Sequence, residues 1–372
     1  MNKDNEASIA KEEELAEPFS ETIESLEYKK EKKIYNICII FLPILISILI
    51  LSIIIYFVLK EPINNNNKKS KDNENDNKNI DNLMNYTIIE KILINKNDSK
   101  AIFLFNNHCT KLNESIISIK IDNKTIDTID NYYIFNFIGS YIVEITFNKK
   151  LNTMAEMFSY CSSIEELDLS NIDTSEVTSM KSAFAGCQSL KTVNLENFNT
   201  SLVYDMSYMF KDCESLTSLD LYNFDTSQVS DMSFMFQNNK KLEYLNISSF
   251  NTENVYKMEY MFNLCNVSSL DVSNFNTINV LNIQYMFSEC YSLTSLNLSN
   301  FNTKEVVDFS GLFKGSKKLG YIDISNFYTI KMNFCNEMFL DLPEKGTIRI
   351  NMEKTWALIL NQIPEEWDII KE

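Results

Sequence analysis

The stretch LTSLDLYNFDTSQVSDMSFMF, residues 216–236, decides the fold. Leu216, Leu219 and Leu221 follow an L-x-x-L-x-L pattern, and the alternation of its last pair is the period of a short strand with both leucines on its inner face. Phe224 comes next as an interior plug, and Asp225, Thr226 and Ser227 are residue types that cap a helix start. Val229, Met232, Met235 and Phe236 then recur at spacings of three and four, a helical period. The stretch predicts strand, capped turn, short helix and loop.

Outward from it the same unit repeats. Phenylalanines at 158, 184, 210, 236, 262, 287, 313 and 339 are 26 residues apart, with one step of 25, in blocks such as MFSYC, AFAGC and MFSEC. The inward strand pairs recur as Val193 and Leu195, Leu245 and Ile247, Leu270 and Val272, Leu296 and Leu298, and Ile322 and Ile324. A fixed period of this length indicates a solenoid whose units bury their apolar faces only against neighbours. Residues 151–342 are therefore expected to form an α/β solenoid, a leucine-rich repeat array with one short strand and one short helix per repeat, closed by a C-terminal cap at 343–372.

Ahead of the array, composition divides the chain. Residues 34–59 are 26 residues without a charge, roughly 39 Å as a helix, enough for the ~30 Å hydrocarbon core. A cleaved signal peptide is the rival reading, but its apolar run is shorter and a small-residue cleavage site follows it. We expect an uncleaved transmembrane helix. Lys29, Lys30, Lys32 and Lys33 on its near side place residues 1–33 in the cytoplasm as a solvated tail and the repeats outside the cell. All eight N-x-[ST] sequons follow the span, with Asn85 and Asn97 the expected acceptors because they are near the stalk. Residues 60–81 are an Asn/Lys-rich stalk that cannot bury enough surface to fold. Residues 82–150 form a small β unit, in which Ile117, Ile119 and Ile121 alternate, Asp122-Asn123-Lys124 supplies a turn, and Tyr141, Val143, Ile145 and Phe147 alternate again. No topology follows for it from the pattern.

Composition also narrows function. Of 372 residues, 51 are acidic and 34 basic, a net charge of −17 that repels a phosphate backbone, so no nucleic-acid partner is expected. One histidine, His108, and six glycines leave almost no material for triads, zinc-protease motifs or phosphate cradles. Eight cysteines without a CxxC pair fit neither a disulfide scaffold nor a zinc finger. No enzyme, metal or cofactor is expected.

The in-register copies over residues 154–340 resemble the BspA-like leucine-rich repeat surface proteins of bacteria and protists, as do the β unit before them and the closing IPEEW at 363–367. The resemblance implies a cell-surface or secreted binding protein associated with adhesion. Two blocks depart from it, at 309–313 and 334–338, where the usual methionine is replaced. The expected partners are the bilayer, through residues 34–59, and an extracellular protein or glycan. The alternative is a receptor or architectural protein whose cytoplasmic tail carries the output.

Three columns carry candidate sites. Asp168, Asp220, Asp271 and Asp323 alternate with Asn194, Asn246 and Asn297 along the exposed strand centres. They read either as an amide–carboxylate ladder or as a binding stripe, flanked by Tyr222, Tyr244 and Tyr321 as ligand contacts. Tyr208, Phe234, Tyr260 and Tyr285 form an aromatic strip, serving stacking between repeats or an interface. Cys161, Cys187, Cys213, Cys265 and Cys290 share a column with Asn239 and Ser316, which suits reduced, buried, hydrogen-bonding thiols, with Cys109 and Cys335 undecided.

Overall fold

A computed structural model describes residues 86–94, 102–106, 116–126, 131–354 and 357–371. The tail, the expected membrane span, the stalk, Asn85, Asn97 and Cys109 lie outside them. Among the described residues no helix is long and apolar enough to cross a membrane.

The first strands form the expected β unit: β1 (Tyr86–Ile94), β2 (Ile102–Phe103), β3 (Ile116–Ile121), β4 (Lys124–Thr125), β5 (Tyr132–Tyr133) and β6 (Gly139–Phe147). Asp122 and Asn123, both at positive φ, make the two-residue turn between β3 and β4. Register in β3 departs from simple alternation. An irregularity between Ile116 and Ser118 turns Ile116 inward and leaves Ile117 exposed, against expectation.

The solenoid strands are β7 (Ile164–Asn171), β8 (Thr192–Asn194), β9 (Ser218–Asp220), β10 (Tyr244–Asn246), β11 (Ser295–Asn297) and β12 (Tyr321–Asp323). They pair in parallel as β7 with β8, β9 with β10 and β11 with β12, in a solenoid of about seven turns whose strand ladder is interrupted between β8 and β9 and between β10 and β11. Strand β1 pairs antiparallel with β6 on one side and with β7 on the other, so the β unit covers the first coil's open edge. At the other end β13 (Gly346–Ile350) and β14 (Trp367–Lys371) continue the parallel sheet, with a short helix α1 (Ala357–Leu360) between them. The Trp367 ring lies over Gly346, where a Cβ would come within 2.6 Å, and its indole N–H donates to the Pro343 carbonyl at 2.8 Å.

The helix expected in every repeat is absent; the protein is a β-solenoid. Around Phe236, Phe234 and Asn238 sit at φ +61° and +63°, far from the −63° of a helix. The amides divide their work. Those of Met235 and Gln237 donate within the coil to Met232 and Phe234 carbonyls, closing two tight turns, the first of the type that needs positive φ at its third residue, Phe234. Those of Phe234, Phe236 and Asn238 instead donate to the next coil, at Glu259, Met261 and Asn263 (2.9, 2.9 and 2.8 Å). No amide in that set is left for an i→i−4 bond, and the same positive-φ pair returns in each coil, for example at Tyr208 and Asp212 and at Gly311 and Gly315.

These turns place Met232, Met235 and Phe236 fully inside. The repeat phenylalanines stack coil on coil, with centroids 5.1 to 6.2 Å apart from Phe158 to Phe339. Leu219, Leu221 and the Phe224 plug are buried as the pattern requires. The short 25-residue coil lacks its residue between Cys265 and Leu270; Val267 fills the interior there, and no strand forms at 270–272.

Candidate functional site

Each coil is tied to its neighbours by side chains as well as by strand pairing. Thr226, expected to cap a helix, is fully buried, donates its hydroxyl to the Asn251 carbonyl and accepts the Asn251 amide, both at 2.8 Å. Thr174, Thr200, Thr252, Thr277, Thr303 and Thr329 make the same donation in their coils. Asp225 accepts the Ser227 amide at 2.9 Å, and the bonds from Ser227 hold its carboxyl below the usual range. The capping residues thus serve a turn and a ladder.

The cysteine column behaves as expected of reduced thiols. Cys187, Cys213 and Cys290 donate to the carbonyls of Phe158, Phe184 and Phe262 in the preceding coil, at 3.1 to 3.2 Å. Asn239 and Ser316 make the same bond to Phe210 and Phe287. All these thiols are buried and free, and burial pushes Cys265 up to about 12, which removes thiolate chemistry. Cys335 belongs elsewhere: it occupies the buried column of Met232 and Phe309.

On the strand face, Asp168, Asp220, Asp271 and Asp323 each accept the amide two residues on, and Asn194, Asn246 and Asn297 do likewise. For Asp271 the Ser273 amide and hydroxyl lower the carboxyl. Asn246 also donates its side-chain amide to the Asp220 carboxylate at 2.8 Å. This is the ladder geometry: Asn between Asp converts like-charge repulsion into a hydrogen bond.

The expected contacts separate into groups. Asp220, Asn246, Tyr222 and Tyr244 come together, with the tyrosines 58% and 54% exposed on either side of the Asp220–Asn246 bond; Asp220 and Tyr222, with Thr192, Asn194 and Glu196, line a groove of about 360 Å3. Asp168 lines a second groove with Lys91 and Glu166, an ion pair of 2.5 Å. Asp271 lies in the coil that forms no strand. At the far end Asp323 is buried, 3.8 Å from Arg349, which closes it to a ligand, and Tyr321 beside it is half-buried.

The aromatic column stacks. Tyr208, Phe234, Tyr260 and Tyr285 are half-buried, with centroids 4.6, 4.8 and 4.9 Å apart and planes within 13° of parallel. Burial raises the Tyr208 and Tyr260 phenols. Among the described residues no cluster of His, Cys, Asp and Glu could hold a metal.

The fold and these ladders define a repeat protein of the β-solenoid class. Residues 152–269 and 266–345 match the family described as "Mycoplasma protein of unknown function, DUF285", and the chain belongs to that family. Neither a curated protein nor a solved structure matches the chain.

Proposed function

We propose that this is a membrane-anchored cell-surface protein, of the BspA-like kind its repeats resemble, in which the solenoid recognises an extracellular protein or glycan. The observation that supports the reading is the strand face at Asp220 and Asn246, where two tyrosines stand more than half exposed on a rigid ladder. Exposed aromatic rings fixed by a scaffold offer large contact area at little entropic cost, the usual character of a recognition hot spot. Binding is proposed over catalysis because the cysteines described are buried and the chain has a single histidine from which to build a nucleophile and base pair. The rival, output through residues 1–33, rests on the lysine-flanked apolar run at 34–59 alone.

Two experiments test the proposal. Protease applied to intact cells removes the repeats and spares the first 33 residues; protection of the repeats refutes the topology. Full-length protein with Tyr222→Ala and Tyr244→Ala, compared with wild type in a pull-down from host surface extract, loses its partner; an unchanged partner set refutes the strand face.

A further inference from the structure

The aromatic column begins with a missing rung. Two residues ahead of the stacked phenylalanines stand Glu156, Ser182, Tyr208, Phe234, Tyr260, Tyr285 and Gly311 in successive coils. The two ends of the ring stack differ. At Gly311 the Tyr285 ring closes down on the backbone, where a Cβ would lie 2.2 Å from its Cε1. At Ser182 the side chain is too short to meet Tyr208. The coils keep their pairing there, since the Ser182 amide donates to the Ser207 carbonyl at 2.8 Å and that of Tyr208 to Ser233 at 2.9 Å. A ring laid on Tyr208 at the spacing of the column therefore sits above Ser182.

The space is real and shaped. A cleft of about 530 Å3 opens at this point, floored by Ser182 and Ala185 and walled by Tyr208 and Tyr160. Tyr160 is 74% exposed and leans across Gly186, whose notional Cβ would be 2.6 Å from the Tyr160 Cδ1. A side chain at 186 would push that ring away, so the glycine helps set the wall.

We propose that this cleft binds the ring of a neutral sugar in a glycan. Its apolar wall is a tyrosine face, negative at its centre, which suits the polarised C–H groups of a pyranose. Its rim carries Lys181 and Lys211 against Glu156 and Asp212, two charges of each sign, so an ionic ligand of either sign meets repulsion as well as attraction. Hydroxyl groups both donate to carboxylates and accept from ammonium groups, and one sugar ring can satisfy both kinds. A plain aromatic ring would cover four charged groups and pair with none of them. Asp212 is held in place by the Asn238 amide at 2.7 Å, and Lys211 by the Tyr208 and Phe234 rings, 5.5 and 5.6 Å from their centroids. The proposal narrows the recognition function to glycans at a second face and rests on that reading for its compartment.

The test is the full-length protein on an array of neutral and sialylated oligosaccharides. Wild type is expected to bind neutral glycans, and Ser182→Tyr to lose at least tenfold by supplying the missing rung from within. That variant keeps its fold, because Tyr occupies the same positive-φ position in three of the following coils, and its circular dichroism melt reports this. Ser182→Ala retains binding and Tyr208→Ala loses it. Binding that survives Ser182→Tyr, or that is confined to sialylated glycans, overturns the cleft. Loss of binding in Tyr222→Ala with none in Ser182→Tyr overturns the cleft and upholds the strand face. Absence of any glycan binding overturns the cleft, and the pull-down then judges the recognition reading separately.

Discussion

Glu90 makes the stability of the N-terminal β unit depend on pH in an unusual direction. In β1 the inward row reads Tyr86, Ile88, Glu90, Ile92, and Glu90 is fully buried where β1 meets the first coil. Neither carboxyl oxygen has a hydrogen-bond partner among the described residues, and the Cys187 thiol is near enough to feel its charge. Burial holds its pKa well above the ordinary value. The folded chain thus keeps a proton that the unfolded chain gives up near pH ~4.3. Stability from this group is full below that pH and falls as pH rises, by about 1.4 kcal/mol per unit, until the raised native pKa is reached. Across pH 5.5 to 7.5 stability is therefore expected to fall as pH rises, at up to that slope. Urea unfolding across that range, with hydrogen exchange of β1 and β7 amides, measures it. Glu90→Gln, which cannot ionise, is expected to flatten the difference, and Glu90→Leu to be more stable than wild type at pH 7.5 by a similar amount. Equal slopes in wild type and Glu90→Gln, or a Glu90→Leu protein less stable at pH 7.5, would refute a neutral buried carboxyl.

Other outcomes follow from the ladders. Phe236→Ala, between the rings of Phe210 and Phe262, is expected to cost about 3–5 kcal/mol and to loosen both neighbouring coils in hydrogen exchange, whereas Phe339→Ala, with one stacked partner, costs less. Thr226→Val keeps the shape but orphans the Asn251 amide and should cost about 1–3 kcal/mol in urea melts. Cys213→Ser should be nearly neutral by the same assay, because Ser316 already fills that place in another coil. Site-resolved mass spectrometry of native protein should find Asn246 and Asn297 unmodified, since both side chains are bonded within the strand ladder, with Asn85 and Asn97 the acceptors.

How far the sequence could be read depended on which interactions leave a local trace. The period, the inward leucines, the Phe224 plug, the thiol column and the stacking of Tyr208 on Phe234 were legible, because in a solenoid every contact recurs at one offset. The helix was a misreading with a specific cause. Apolar positions at 229, 232, 235 and 236 lie at spacings that successive tight turns share with a helix. The distinguishing sign was the column of Gly186, Asp212, Asn238, Gly315 and Asp341, residues that tolerate positive φ. Thr226 was assigned to its own segment because capping is the commoner use of threonine beside aspartate, and a bond to the next coil leaves no mark within one repeat. The docking of β1 on β7 joins residues about 75 positions apart, beyond any periodic signal. The cleft at Ser182 was visible only as an interruption in an aromatic column, and Tyr160 enters it from a different column altogether.

The 25-residue coil has a mechanical consequence. Tension applied at the two ends of the array would pass through every coil in turn, so the array gives way where the link between neighbours is thinnest. Strands β9 and β10 are clasped by three paired residues, but the following segment at 270–272 offers no strand to β10. The threonine bond from Thr252 and the turn ladder from Phe262 still cross that junction, at 2.8 and 3.0 Å. The strand ladder is broken there and also between β8 and β9, so the junction at 270–272 is one of two places where the array would part first under load, and its yield force could be lowered further by Thr252→Val.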